Sequence, residues 1–151
     1  GPPGWPGRFP EESSSLTLNI ETDRWPADME WYWQQQNTTT TNMTILQDSG
    51  GILERAEYLY SHTFSVESNS TYQLVLSDSY GDGFFLNGWM TLTGANQTIL
   101  FSARDTRGDV QDAANETLLA SDLSKGSFKL ITIDVFVDED GSIETESVVQ
   151  E

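Results

Sequence analysis

The sequence predicts an all-β fold: a single antiparallel β-sandwich, jelly-roll-like, with an extended Pro-rich N-terminal arm. Three observations carry that expectation. Apolar and polar side chains alternate with a period of two in stretch after stretch. Clusters of Gly, Asn, Asp and Ser separate those stretches at short intervals. Helical character is confined to "VQDAANETLLASDL", enough for a turn or two around 113–120. Short strands without alternating helices argue for sheets packed face to face rather than a parallel α/β arrangement.

Residues 1–15, "GPPGWPGRFPEESSS", form the arm, with two aromatic anchors, Trp5 and Phe9. Residues 16–151 form the folded domain. "LTLNIE" places Leu16, Leu18 and Ile20 on one face, and "MEWYWQ" does the same with Met29, Trp31 and Trp33. "NMTIL" points Met43 and Ile45 inward and leaves Asn42 outward. "YLYSHTFSV" alternates Tyr58, Tyr60, His62, Phe64 and Val66, and "YQLVLS" alternates Tyr72, Leu74 and Leu76. Further strands are predicted at 89–93, 99–102, 128–137 and 142–149. "DEDG" at 138–141 predicts a hairpin turn between the last two. An EF-hand loop is excluded there, because its first and twelfth positions would be Phe136 and Ser147, which offer no carboxylate.

The 151 residues suit one domain, and 36% hydrophobic content is too apolar for a disordered chain. No apolar run approaches the ~20 residues of a membrane span. Twenty-four acids against seven bases give a formal charge of −17, and only two of the bases, Lys125 and Lys129, are lysines. Phosphate recognition rests on Lys and Arg, so a nucleic-acid partner is not expected. The acids keep the surface solvated, or suit salty or calcium-rich water in which cations screen their repulsion. Cysteine is absent, so the core holds the fold without disulfides.

Glycosylation is the strongest signal. Asn37, Asn42, Asn69, Asn96 and Asn115 each begin an N-x-Thr triplet without proline, in a chain with seven asparagines. Thr fills roughly a tenth of the chain, so chance supplies fewer than one such triplet. The triplets fall on outward strand positions and turn signals, as sugar attachment requires. They predict a secreted, extracellular or cell-surface glycoprotein carrying N-linked glycans.

Two motifs carry a resemblance. "TDRWPADMEW" (22–31) resembles the T-D-x-Y-P-x-E-T-S-W stretch of secreted β-sandwich modules of marine microalgae, such as diatoms, and some bacteria. Thr22, Asp23, Pro26 and Trp31 match; Trp25 replaces the tyrosine and Asp28 the glutamate. "DSYGDG" (78–83) resembles the signature that follows in those modules. The resemblance covers about half the chain, residues 16–92, and implies fold and location more than activity. Cysteines that often flank the second motif in those modules are absent.

"SDSYGDGFFLNGWM" (77–90) has two readings. Asp78 and Asp82, with the Asn87 amide oxygen and backbone carbonyls, supply the kind of oxygen ligands that hold calcium. Alternatively the two carboxylates accept backbone N–H bonds in an Asx-type turn made tight by its glycines. Catalysis has little support. His62 is the only histidine and falls on an apolar strand face, and no nucleophile, zinc or phosphate-loop motif is present. The chain is therefore expected not to be an enzyme. The expected function is a structural glycoprotein that assembles with identical subunits into a filament, sheath or matrix through its arm and sheet edges. The alternative is a calcium-dependent carbohydrate-binding module, using Trp25, Trp31, Trp33 and Trp89 as a platform for a surface or matrix polysaccharide.

Overall fold

The computed structural model describes residues 14–22, 29–78, 88–105, 121–123 and 128–150. Among the described residues ten strands follow in order: β1 (Ser14–Glu21), β2 (Met29–Gln36), β3 (Met43–Asp48), β4 (Leu59–Val66), β5 (Ser70–Asp78), β6 (Trp89–Thr93), β7 (Ile99–Asp105), β8 (Ser121–Leu123), β9 (Leu130–Val137) and β10 (Ile143–Gln150). They form two five-stranded sheets. Sheet A has the order β4-β1-β6-β7-β8, and sheet B has the order β10-β9-β5-β2-β3. Pairing is antiparallel except between β7 and β8. The all-β sandwich expected from the alternation is the fold observed.

Alternation sets the core. Leu16, Leu18 and Ile20 of β1, Met29, Trp31 and Trp33 of β2, Tyr72, Leu74 and Leu76 of β5, and Ile131, Ile133 and Val135 of β9 are buried. Each set lies at every second residue, so one face of each strand enters the space between the sheets. Trp33 is the centre of this layer. Its ring stacks on Phe64 at 4.5 Å and on Tyr72 at 5.0 Å, between centroids and nearly parallel. These offset aromatic contacts add to the area the rings remove from water.

Two departures from the sequence expectations are instructive. Met43 and Ile45 do not point inward. Both are exposed, and their register partners are Gln36 and Gln34, which alternate with the core residue Trp33. A bulge between Trp33 and Gln34 resets the phase of β3, so its apolar pattern alone misassigns the face. The structure also adds the short β8, parallel to β7, which strand alternation did not predict. The helix expected at 113–120 lies outside the described residues.

Turns follow their chemistry. At 138–142, Gly141 takes φ +89 and its N–H donates to the Asp138 carbonyl at 3.0 Å, as the "DEDG" signal predicts. The Ser142 N–H donates to the Asp140 carboxylate at 3.0 Å, and bonds from Ser142 hold that carboxyl below its ordinary value. Thr22, buried just beyond β1, donates its hydroxyl to the Arg55 carbonyl at 2.8 Å and accepts the Tyr58 N–H at 3.0 Å. It thereby ties the 49–58 connection between the sheets to sheet A.

Candidate functional site: a sequon-bearing end and a free side edge

Strand directions define two ends of the sandwich. In sheet A, Ser14 of β1 lies opposite Val66 of β4, and Thr17 lies opposite Thr93 of β6. In sheet B, Gln35 of β2 lies opposite Tyr72 of β5, and Ser70 lies opposite Val137 of β9. The β2–β3, β4–β5, β6–β7 and β9–β10 connections therefore all fall at one end, where β1 also begins. Strand ends Glu21, Asp48, Asp78 and Gln150 lie at the other.

Four of the five sequon asparagines stand in those turns, and all four are exposed. Asn37 closes the β2–β3 turn: its N–H donates to the Asn42 carbonyl at 2.7 Å, and its Oδ1 accepts the N–H groups of Thr39 and Thr40 at 2.8 and 2.9 Å. Oδ1 is thus engaged by the turn, which leaves Nδ2, the atom that carries an N-glycan, on the outer side. Asn69 in the β4–β5 arch and Asn96 in the 3-10 turn Ala95–Gln97 adopt φ 58 and 57. Asn tolerates this left-handed region better than most residues, so the same side chain serves the turn and the sequon. Asn115 lies outside the described residues.

The predicted calcium ligands divide. Asp78 ends β5, is 1% exposed, and its N–H donates to the Lys129 carbonyl at 3.0 Å. Asp82 and Asn87 lie outside the described residues, as do Trp5, Phe9 and Trp25. Among the described residues no group of three or more His, Asp or Glu side chains converges as metal ligands would. The proposed sugar platform is not assembled by its tryptophans: Trp31 and Trp33 are core residues, 2% and 1% exposed, while Trp89 is half-buried on the outer face of sheet A. His62 points inward and is half-buried, its ring 4.8 Å from that of Trp31, and burial lowers its pKa. Among the described residues no helix is long and apolar enough to cross a membrane.

Sequence reasoning missed a polar ladder on the outer face of sheet B. Gln34 donates through Nε2 to Gln73 Oε1 at 2.7 Å, and Gln73 donates to Asp134 Oδ1 at 2.8 Å, linking β2, β5 and β9. The outward positions of three alternating strands carry these groups, but which outward residues share a row depends on register. That information is not local.

It also missed the sandwich's offset. Rings of β2 meet those of β4, with Trp31 and Phe64 at 5.5 Å, and the Thr145 hydroxyl of β10 donates to the Leu100 carbonyl of β7 at 3.4 Å. With β2 facing β4 and β10 facing β7, β3 overhangs sheet A and no described strand lies across from it. Every residue of β3 is exposed: Met43 and Ile45 on the outer face, level with Gln36 and Gln34, and Thr44 and Gln47 on the face level with Gln35 and Trp33. β4 is the edge of sheet A beside this overhang and contains no Asp, Glu, Lys or Arg; β3 contains one acid, Asp48. The opposite side differs, since β10 exposes Glu144 and Glu146. Comparison with protein-family models, curated proteins and solved structures gives no match.

Proposed function

We propose that the chain is a non-catalytic, extracellular structural glycoprotein that assembles with copies of itself into a surface filament, sheath or matrix. One observation carries the reading: the four described sequon asparagines share one end, while on one side the described strands of the two sheets end in β3 and β4, which carry one acid, Asp48, between them. Glycans at that end would keep it hydrated and hold neighbours off it, and contacts would then run through the sides. A chain at −17 repels its copies over most of its surface, so the side with one acid in fourteen strand residues is where approach costs least. Unpaired strand edges are natural templates for another strand. The test is native material. Intact mass spectrometry should give a mass above the bare 16.9 kDa, and electron microscopy should show regular polymers. A bare mass, with single particles at every concentration, would overturn the reading.

A second reading, a carbohydrate-binding module, is favoured by the Gln34–Gln73–Asp134 ladder, which presents amide and carboxylate groups in a row beside Tyr32 on an open sheet face. Calcium at Asp78, Asp82 and Asn87 would belong to this reading as a stabiliser of the 78–87 loop. Titration with soluble polysaccharides, with and without chelator, tests both parts. Binding lost in Gln73→Ala and weakened by chelation supports them, and no saturable binding removes them.

A further inference from the structure

The outer face of sheet B carries polar and aromatic side chains that the core does not use, and strand register sets them in rows. Gln34 lies opposite Gln73, Gln73 opposite Asp134, and Asp134 opposite Glu146, so one row crosses four strands. The row on one side of it holds Tyr32, Val75, Thr132 and Val148. The row on the other side holds Thr71, Phe136 and Glu144. Tyr32 and Phe136 therefore stand on opposite diagonals of Gln73, each within reach of a long side chain there. Strands about 4.8 Å apart and a rise of about 3.4 Å per residue set the two rings roughly 17 Å apart, with Gln73 midway. The face meets solvent. Tyr32, Gln73, Asp134 and Phe136 are half-buried, and Glu30, Glu144, Glu146 and Val148 around them are exposed.

The Gln73 amide is fixed in direction. Its Oε1 accepts from Gln34 Nε2 at 2.7 Å, and its own Nε2 donates to Asp134 Oδ1 at 2.8 Å. Gln34 is 9% exposed, so the ladder is anchored at a buried end. An amide nitrogen carries two N–H groups and a carboxylate two oxygens. Gln73 thus has a second donor, and Asp134 a second acceptor, beside each other and beyond the ladder. A hydroxyl group donates and accepts at once, and a sugar ring carries several hydroxyls next to an apolar C–H face. Adjacent donor and acceptor groups between two aromatic rings match that combination.

Charge narrows the ligand further. The described strands of sheet B contain no Lys, Arg or His, while Glu30, Asp48, Asp134, Glu144 and Glu146 all lie on its outer face. An anionic polymer, or a second copy of a chain at −17, is repelled there. A cationic ligand would be drawn to the carboxylates, but an ammonium group only donates and offers nothing to the second N–H of Gln73. An uncharged ligand with hydroxyls uses both groups.

We propose that the outer face of sheet B binds an uncharged glycan laid obliquely across β2, β5 and β9, with Tyr32 and Phe136 stacked on sugar rings and Gln73 and Asp134 bonded to hydroxyls between them; the inference rests on the carbohydrate-binding reading above.

Amide NMR shift mapping on the full-length chain tests this. The uncharged probes are soluble gluco-, manno-, galacto- and xylo-oligosaccharides; a uronic-acid oligosaccharide is the anionic probe and a glucosamine oligosaccharide the cationic one. At least one uncharged probe should bind saturably and shift the amides of Tyr32, Gln73, Asp134 and Phe136 more than those of sheet A. Its affinity should change by less than about twofold between about 0.05 and 0.5 M salt, because no charge on the ligand is screened. Tyr32→Ala and Phe136→Ala should each weaken binding by about tenfold. Asp134→Asn, which keeps an acceptor for Gln73, should leave it within about threefold. Melting reports whether each variant folds, and shift mapping on the wild type stands if one does not. Binding with shifts elsewhere, or unchanged in Tyr32→Ala and Phe136→Ala, would overturn this site and leave the carbohydrate-binding reading intact. So would tighter binding of the uronic-acid probe, or of the glucosamine probe with a loss in salt and in Asp134→Asn, for the uncharged ligand. No binding of any probe would remove both.

Discussion

β2 and β3 are hydrogen-bonded neighbours in one sheet, joined by a single turn, and their apolar side chains have opposite fates. Met29, Trp31 and Trp33 of β2 are buried, whereas Met43, Ile45 and Leu46 of β3 are exposed. Composition does not separate them; both strands mix large apolar residues with glutamine and an acid. The first difference is phase: the bulge between Trp33 and Gln34 turns Met43 and Ile45 to the outer face, level with Gln36 and Gln34. The second is what stands opposite. β2 faces β4 across the sandwich, with Trp33 stacked between Phe64 and Tyr72. β3 faces no described strand, so hydrogen bonding to β2 gives it a place in the sheet without a place in the core. A strand's apolar pattern states what it can bury, and its register and the second sheet together decide whether it does.

The largest effect that would test this contrast is truncation at matched apolar positions. Trp33→Ala removes a ring that is 1% exposed and leaves a cavity among aromatic neighbours, a loss of about 3–5 kcal/mol. For a domain of this size that lowers the melting temperature by roughly 6–20 °C. Ile45→Ala, at a residue 55% exposed, should change stability by less than about 0.5 kcal/mol. Thermal melting of dilute monomer separates the two. A destabilisation by Ile45→Ala approaching that of Trp33→Ala would mean that β3 is covered in the monomer, and the contrast between the strands would fail.

Much of the fold is legible in the sequence for a physical reason. Period-two alternation is a local record of burial wherever a strand is covered on one face, and the core faces of β1, β2 and β5 follow from it. The turn at 138–142 was legible because Gly141 occupies a conformation that side chains resist. What escaped depends on relations between distant segments. The phase of β3 is set by a bulge against β2, the short parallel β8 by its docking on β7, and the Gln34–Gln73–Asp134 row by the register of three strands. The candidate surfaces divide the same way. Each sequon is visible in three residues, but the gathering of four at one end follows only from strand directions. That β4 and β3 end the described parts of their sheets on the same side follows from strand order and from the offset of one sheet on the other.

The smallest effect lies on the boundary between the two regions, at His62, which shares the inward face of β4 with buried Phe64 but sits next to the overhang. Burial lowers its pKa, so the fold favours the neutral imidazole. The sign follows from linkage. Above the unfolded value of about 6.5 the ring is neutral in both states, and its contribution is fully present. As the pH falls through that value and then through the lower folded one, the unfolded chain binds the proton first and stability is lost. Melting of the wild type should therefore decline between pH 7 and pH 5 relative to His62→Phe, which has no proton to bind. The comparison must be a difference between the two proteins, because 24 acidic side chains also change their repulsion with pH. The ring is half exposed, so solvent screens much of the penalty and the decline should be small in dilute monomer. A wild type that melts in parallel with His62→Phe at every pH would show that the fold leaves His62 fully solvated, and the boundary between the two regions would then lie inward of it.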